Sequence, residues 1–290
     1  MERTIEKYSR EGITIEYSLV GKGEPILIFH GGHSNCNEEF GYNSLLDNGY
    51  SIITPSRAGY GSTSKEAGAS LTKACGHYVN LLKHLKVDQV HVIAISAGGP
   101  TGIRFASLYP ERVKSLILES AVSKEWLTKK DLEYKAAHII FRPAIEGVTW
   151  RLLSKLSHLF PNAMFKMMAP QFSSLDKKEI QLKSEVSDII EFTKMNARQR
   201  SGHGFLIDLK QSKEIKDQDF KSINSPTLII HSENDGFISL EHPHIALEKI
   251  ANSELYLVDT WGHLIWIGKS AKKVNQKLIS FLKSFNRPYV

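Results

Sequence analysis

What most limits the fold of this chain is a series of short, unbroken apolar runs separated by turn residues and amphipathic stretches. Pro25-Ile-Leu-Ile-Phe-His30 is one of them, and Ser51–Thr54, Gln89–Ile95, Val113–Leu118, Thr227–Ile230 and Leu255–Val258 are others. Strands that are apolar on both faces belong in parallel sheets covered by helices on both sides. Several intervening segments carry the helical period. Ser70–Leu85 sets Leu71, Cys75, Tyr78, Leu82 and Leu85 at three- and four-residue spacing, and Gly99–Tyr109 and Ala271–Phe285 behave alike. The alternation predicts an α/β fold, with a mostly parallel central sheet flanked by helices and right-handed crossovers. Ahead of it, Arg3–Ser9 and Ile13–Leu19 alternate apolar and polar residues about Arg10-Glu11-Gly12, which predicts a β-hairpin.

One interval breaks the rhythm. Between Val122 and Ser222 no strand pattern recurs, whereas Trp150–Phe160 and Ala163–Met168 read as helices rich in Leu, Met and Phe. A structureless loop of that length does not fit inside a compact domain. Residues 122–222 are therefore expected to form a helical cap inserted into a core of residues 1–121 and 223–290. A chain of 290 residues can carry such an insert and still fold without disulfides or metal.

Composition removes several function classes. Two cysteines, Cys36 and Cys75, allow at most one bridge and suit a reducing compartment, so a cytoplasmic location is expected. The opening Met-Glu-Arg-Thr-Ile-Glu-Lys has no apolar core of a secretory signal, and no apolar run is long enough to span a bilayer. The net charge of +6 comes from scattered pairs such as Lys129-Lys130, Lys177-Lys178 and Lys272-Lys273, with acidic residues close by. Nucleic-acid binders concentrate cations on one stripe, so a solvated basic surface is expected and no nucleic-acid partner. No Gly-x-Gly-x-x-Gly or phosphate loop follows a strand, which implies no nucleotide cofactor. His242-Pro243-His244 lacks a third ligand for a metal. A small-molecule substrate remains, with the oligomeric state left open.

The chemistry concentrates at Ile93-Ala-Ile-Ser96-Ala-Gly-Gly-Pro100, where an apolar run hands over to a helix. Ala94 and Gly98 flank Ser96 at a spacing of two. A serine at the apex of a tight strand-to-helix turn needs small neighbours there, because larger side chains would strike adjacent backbone. Its hydroxyl would stand at a helix N-terminus, where free amides favour developing negative charge. The competing reading is an ordinary turn with a capping serine.

Taken with His30-Gly31-Gly32, Ser56-Arg-Ala-Gly-Tyr-Gly-Ser62, Asn234-Asp235 and Gly262-His263 in that chain order, the turn resembles the α/β hydrolase fold family over nearly the whole length. Ala94 departs from the family's Gly-x-Ser-x-Gly. The resemblance implies a catalytic set of Ser96, Asp235 and His263, in which a base activates the hydroxyl and a carboxylate fixes the base's tautomer. It also implies an oxyanion hole from the N–H groups of Gly32 and Ala97. Glu119, at the end of its strand, is the alternative acid, and Glu233 a weaker one. His33, where many relatives carry proline, either lines the pocket or faces solvent. His30 is read as a loop anchor, Arg57–Gly61 as a brace, and Gly262 as freedom for the loop to turn the His263 ring inward. The implied activity is carboxylic-ester hydrolysis through an acyl-enzyme. Lactone hydrolysis, carbon–carbon bond hydrolysis, prolyl peptidase, thioesterase and cofactor-free peroxidase chemistry use the same set, and a ligand receptor with a slow triad belongs to another class. Phe160, Met164, Phe165, Met167 and Met168 either form an apolar pocket or pack the cap's own core.

Overall fold

The computed structural model describes residues 2–127 and 131–285. Lys129 and Lys130, one of the scattered basic pairs, lie outside the described residues. Eight strands are formed: β1 (Arg3–Arg10), β2 (Ile13–Val20), β3 (Glu24–Phe29), β4 (Tyr50–Pro55), β5 (Val90–Ile95), β6 (Val113–Glu119), β7 (Thr227–Ser232) and β8 (Ser253–Val258). They make one sheet in the order β1-β2-β4-β3-β5-β6-β7-β8. β1 and β2 form an antiparallel hairpin in which Glu11 and Gly12 have φ of 52° and 77°, the left-handed pair a two-residue loop requires. β2 runs antiparallel to β4, and every pairing from β4 to β8 is parallel.

The strands are apolar on both faces because each face has its own core. Ile26, Ile28, Ile93, Ile95, Ile117 and Ile230 point one way, while Leu27, Phe29, Val92, Ala94, Leu116 and Leu118 point the other. Helices α1 (Tyr42–Asp47) and α12 (Ala271–Lys283) supply Leu45, Val274, Leu278 and Leu282 to the first core. Helices α2 (Leu71–His84), α3 (Gly99–Leu108) and α11 (Glu241–Lys249) supply Leu82, Ile103 and Ala246 to the second. Ser70 starts α2 by accepting the Lys73 N–H at 3.2 Å. Both cysteines are free and buried.

Between β6 and β7 the chain builds helices α4 (Leu132–Ile140), α5 (Glu146–Leu159), α6 (Pro161–Met168), α7 (Lys177–Lys183), α8 (Val186–Arg198), α9 (Gly204–Gln211) and α10 (Asp217–Lys221), and no strand among the described residues. α5, α6 and α8 pack on one another, and α10 returns to α3, where Asp219 pairs with Arg104 at 2.9 Å. Phe165 is buried against Phe192 and Trp261, at ring distances of 5.5 and 5.7 Å, so it is packing rather than pocket lining. Phe160 and Met167 are exposed.

The strand order positions the site. After β3 the chain moves outward to β4, then crosses back to lay β5 on the other side of β3. The loops leaving β3 and β5 therefore diverge and open a crevice at the carboxyl ends of the strands, the usual ligand site of an open α/β sheet.

Candidate active site

Ser96 stands at that crevice. It leaves β5 with φ at 49°, a strained conformation for a side-chain-bearing residue, and the helical turn it begins continues into α3. Its carbonyl accepts the Val122 N–H at 2.9 Å, which ties the turn to the chain leaving β6. The strain has a steric consequence at Gly98, where a Cβ would stand 2.3 Å from the Phe29 carbonyl oxygen.

The other expected groups arrive from distant loops. His263, between β8 and α12, places Nε2 3.0 Å from the Ser96 hydroxyl, and its Nδ1 lies 2.7 Å from Asp235 Oδ2. All three residues are buried. Asp235 follows β7, and its Oδ1 accepts the N–H groups of Phe237 and Ile238, each at 2.8 Å. His231 Nε2 adds a contact to Oδ2 at 3.3 Å while hydrogen-bonding the Ile238 carbonyl at 2.9 Å. Burial alone would raise the Asp235 pKa, but His263 and His231 outweigh it and hold the carboxyl well below the usual range. Glu119 does not join them. Its Oε2 accepts the Trp266 indole N–H at 2.8 Å, Oε1 has no hydrogen-bond partner among the described residues, and burial pushes its pKa up to about 7. Glu233 is exposed.

The loop after β3 abuts the turn. A Cβ on Gly31 would lie 3.3 Å from Ser96 Cβ, and one on Gly32 would lie 3.6 Å from Ala97 Cβ. His30 and Arg57 hold this loop. His30 Nε2 accepts the Arg57 N–H at 2.9 Å, and Arg57 donates back to the carbonyls of His30 at 2.7 Å and Gly31 at 3.2 Å. His33 is half-buried; its ring packs on Phe205 and Phe141 at 4.0 and 4.2 Å.

Two contributors escaped the sequence. One is Asp208 of α9, which forms a bidentate pair with the enclosed guanidinium of Arg57, the brace residue, and whose Oδ2 also accepts the Tyr60 hydroxyl at 2.6 Å. The second is the segment after α6. Phe172 accepts the N–H of His263 at 2.8 Å and of Gly236 at 3.2 Å, and Ser173 bridges Asp235. Cβ atoms on Gly236 and Gly262 would stand 2.5 Å from Ser173 and 2.4 Å from Phe172. The sequence reading of Gly262 as loop freedom is therefore corrected: it is not at positive φ, and the glycine admits this clamp. His242 accepts the Ser123 N–H at 2.9 Å, joining α11 to the segment after β6.

A family model described as the alpha/beta hydrolase fold matches residues 24–270. The chain belongs to the α/β hydrolase fold family. An uncharacterized hydrolase of Bacillus subtilis, YcgS, is 55% identical over 284 residues, covering 98% of this chain and all of the relative. A 2-hydroxy-6-oxo-2,4-heptadienoate hydrolase of Pseudomonas putida is 23% identical, covering 88% of each chain. Among solved structures, an α/β hydrolase fold protein from Nakamurella multipartita superimposes with a TM-score of 0.82 at 23% identity, covering 98% of this chain and 100% of that one. In this family's turn the departure at Ala94 has a local explanation. A Cβ on Gly102 would come within 2.4 Å of Ala94 Cβ, so the methyl at 94 occupies space that the glycine of α3 leaves free. Gly102→Ala should therefore destabilise the protein by about 1–3 kcal/mol through overpacking, despite alanine's better helix propensity. Adding Ala94→Gly should recover most of that loss, and urea midpoints of the four proteins in the cycle measure the coupling.

Proposed function

We propose that this protein is a serine hydrolase that cleaves small, apolar carboxylic esters through an acyl-enzyme on Ser96. The observation that carries the reading is the unbroken chain from hydroxyl to imidazole to carboxylate, at 3.0 and 2.7 Å. Ser96 Oγ attacks the ester carbonyl carbon while its proton passes to His263 Nε2. The ionised Asp235 stabilises the imidazolium and holds the nitrogen that faces serine unprotonated beforehand. The N–H groups of Gly32 and Ala97 receive the oxyanion, and its collapse expels the alcohol, which takes the proton back from His263. Water then repeats the sequence and releases the acid. Helices α4–α9 form the cap over this site.

A fluorophosphonate tests the assignment directly, since attack by Oγ forms a stable P–O bond and expels fluoride. The labelled peptide should contain Ser96, p-nitrophenyl esters should turn over, and Ser96→Ala should lose both while keeping the wild-type thermal midpoint. Normal ester turnover by Ser96→Ala would remove the nucleophile assignment. Absence of labelling and turnover in the wild-type protein would favour a ligand receptor.

A further inference from the structure

We infer that the acyl part of the substrate lies along the rings between the His30–His33 loop and His263, and that a fixed N–H donor on His33 selects acyl groups carrying a neutral carbonyl oxygen. The inference rests on the serine hydrolase reading and deepens it to a substrate class.

The donor follows from hydrogen-bond bookkeeping around Ser201, which is fully buried. Its Oγ accepts the Trp150 indole N–H at 2.7 Å and lies 2.7 Å from His33 Nδ1. An indole nitrogen only donates, and among the described residues nothing but Nδ1 stands to accept the buried serine hydrogen, so Nδ1 takes it and the imidazole carries its own hydrogen on Nε2. Among the described residues none accepts from Nε2. The ring cannot swing to find a partner: Phe205, Phe141 and Trp150 pack on it at 4.0, 4.2 and 5.1 Å. Its backbone is pinned as well, at φ 61°, with the carbonyl accepting the Arg200 N–H at 2.7 Å and the N–H donating to Tyr60 at 3.3 Å. Burial holds the His33 pKa down to about 3, which keeps the donor neutral.

The location follows from its neighbours. Gly32, next in the chain, adjoins Ala97. Rings also run in sequence from His33 through Phe205, Trp126 and Phe237 to His263, at centroid distances of 4.0, 5.9, 5.2 and 5.5 Å. Such a wall suits flat or apolar carbon with one polar atom to be met. The nearby cations are already engaged, Arg57 by Asp208 and Arg200 by Glu146 at 2.8 Å. An anionic acyl group would lose its hydration against aromatic faces and one neutral donor, whereas a carbonyl would gain a hydrogen bond.

Three esters of one leaving group decide the matter: p-nitrophenyl pentanoate, p-nitrophenyl 4-oxopentanoate and mono-p-nitrophenyl glutarate. The 4-oxo ester should exceed the pentanoate in kcat/KM by about tenfold, the order of one neutral hydrogen bond, and the glutarate should be slowest. His33→Asn keeps a residue that tolerates positive φ but withdraws the ring, and should bring the 4-oxo preference to about one. Ser201→Ala frees Nδ1 and should reduce the preference about threefold, as expected for a donor no longer fixed in one tautomer. Equal rates for the two uncharged esters in the wild-type protein overturn the inference, as does a preference that survives in His33→Asn. Should that variant not fold, an unchanged preference in Ser201→Ala overturns it. Failure of the underlying reading looks different, because then no ester turns over and no fluorophosphonate adds to Ser96.

Discussion

Asp235→Asn should lower kcat by about four decades while Glu119→Gln leaves it within about tenfold. The size of the loss follows from which way the new amide must face. Two backbone N–H groups, from Phe237 and Ile238, donate to Oδ1 at 2.8 Å. An asparagine keeps its carbonyl oxygen there, because turning the amide over would set its N–H groups against those donors. The amide nitrogen then faces His263 and donates to Nδ1, so the imidazole carries its hydrogen on Nε2, toward Ser96. In that tautomer it cannot take the serine proton. His231, 3.3 Å from Oδ2, meets the same amide nitrogen and adds a donor–donor conflict, so some loss of stability should accompany the loss of rate. Steady-state turnover of a p-nitrophenyl ester by the two variants separates the candidates. A four-decade loss in Glu119→Gln with Asp235→Asn nearly active would hand the acid role to Glu119.

How much of this was legible depended on the range of the physics involved. Continuous apolar runs announced β3, β5 and β7, because burial on both sheet faces leaves its mark on every residue of a strand. The elbow was legible for the same reason: the crowding that requires Gly98 and tolerates Ala94 acts within a few residues of Ser96. α11 was not, since a short helix whose first turn carries His242 and Pro243 shows little apolar period, and those residues drew attention as metal ligands instead. Contacts between segments far apart in the chain left no local trace. The 172–174 clamp works through backbone carbonyls and amides, which any sequence supplies; its written signs are Gly236 and Gly262, and at Gly262 loop freedom was the simpler explanation. Asp208 sits 151 residues from Arg57 in a helix with ordinary polar spacing, so nothing nearby marks it as the partner of a buried guanidinium.

That pairing carries the largest expected effect on stability. Asp208→Ala should destabilise the protein by about 3–5 kcal/mol, the usual penalty for removing one partner of a buried ion pair. Arg57 is 2% exposed, and the pair's strong attraction holds its charge against burial. With Asp208 gone, the guanidinium keeps only the carbonyls of His30 and Gly31, and the Tyr60 hydroxyl loses its acceptor. Replacing both partners with apolar residues, as in Arg57→Met with Asp208→Leu, should restore much of the urea midpoint, since no charge is then left stranded. Activity should not return with it. Arg57 also fixes the two carbonyls immediately ahead of Gly32, and apolar side chains cannot hold that loop against Ala97. A double variant that recovers stability but keeps a lowered kcat at near-normal KM separates the two jobs of Arg57, neutralising a carboxylate and aiming a loop. Recovery of both together would mean that the loop keeps its shape without the guanidinium, and that the ion pair serves the fold alone.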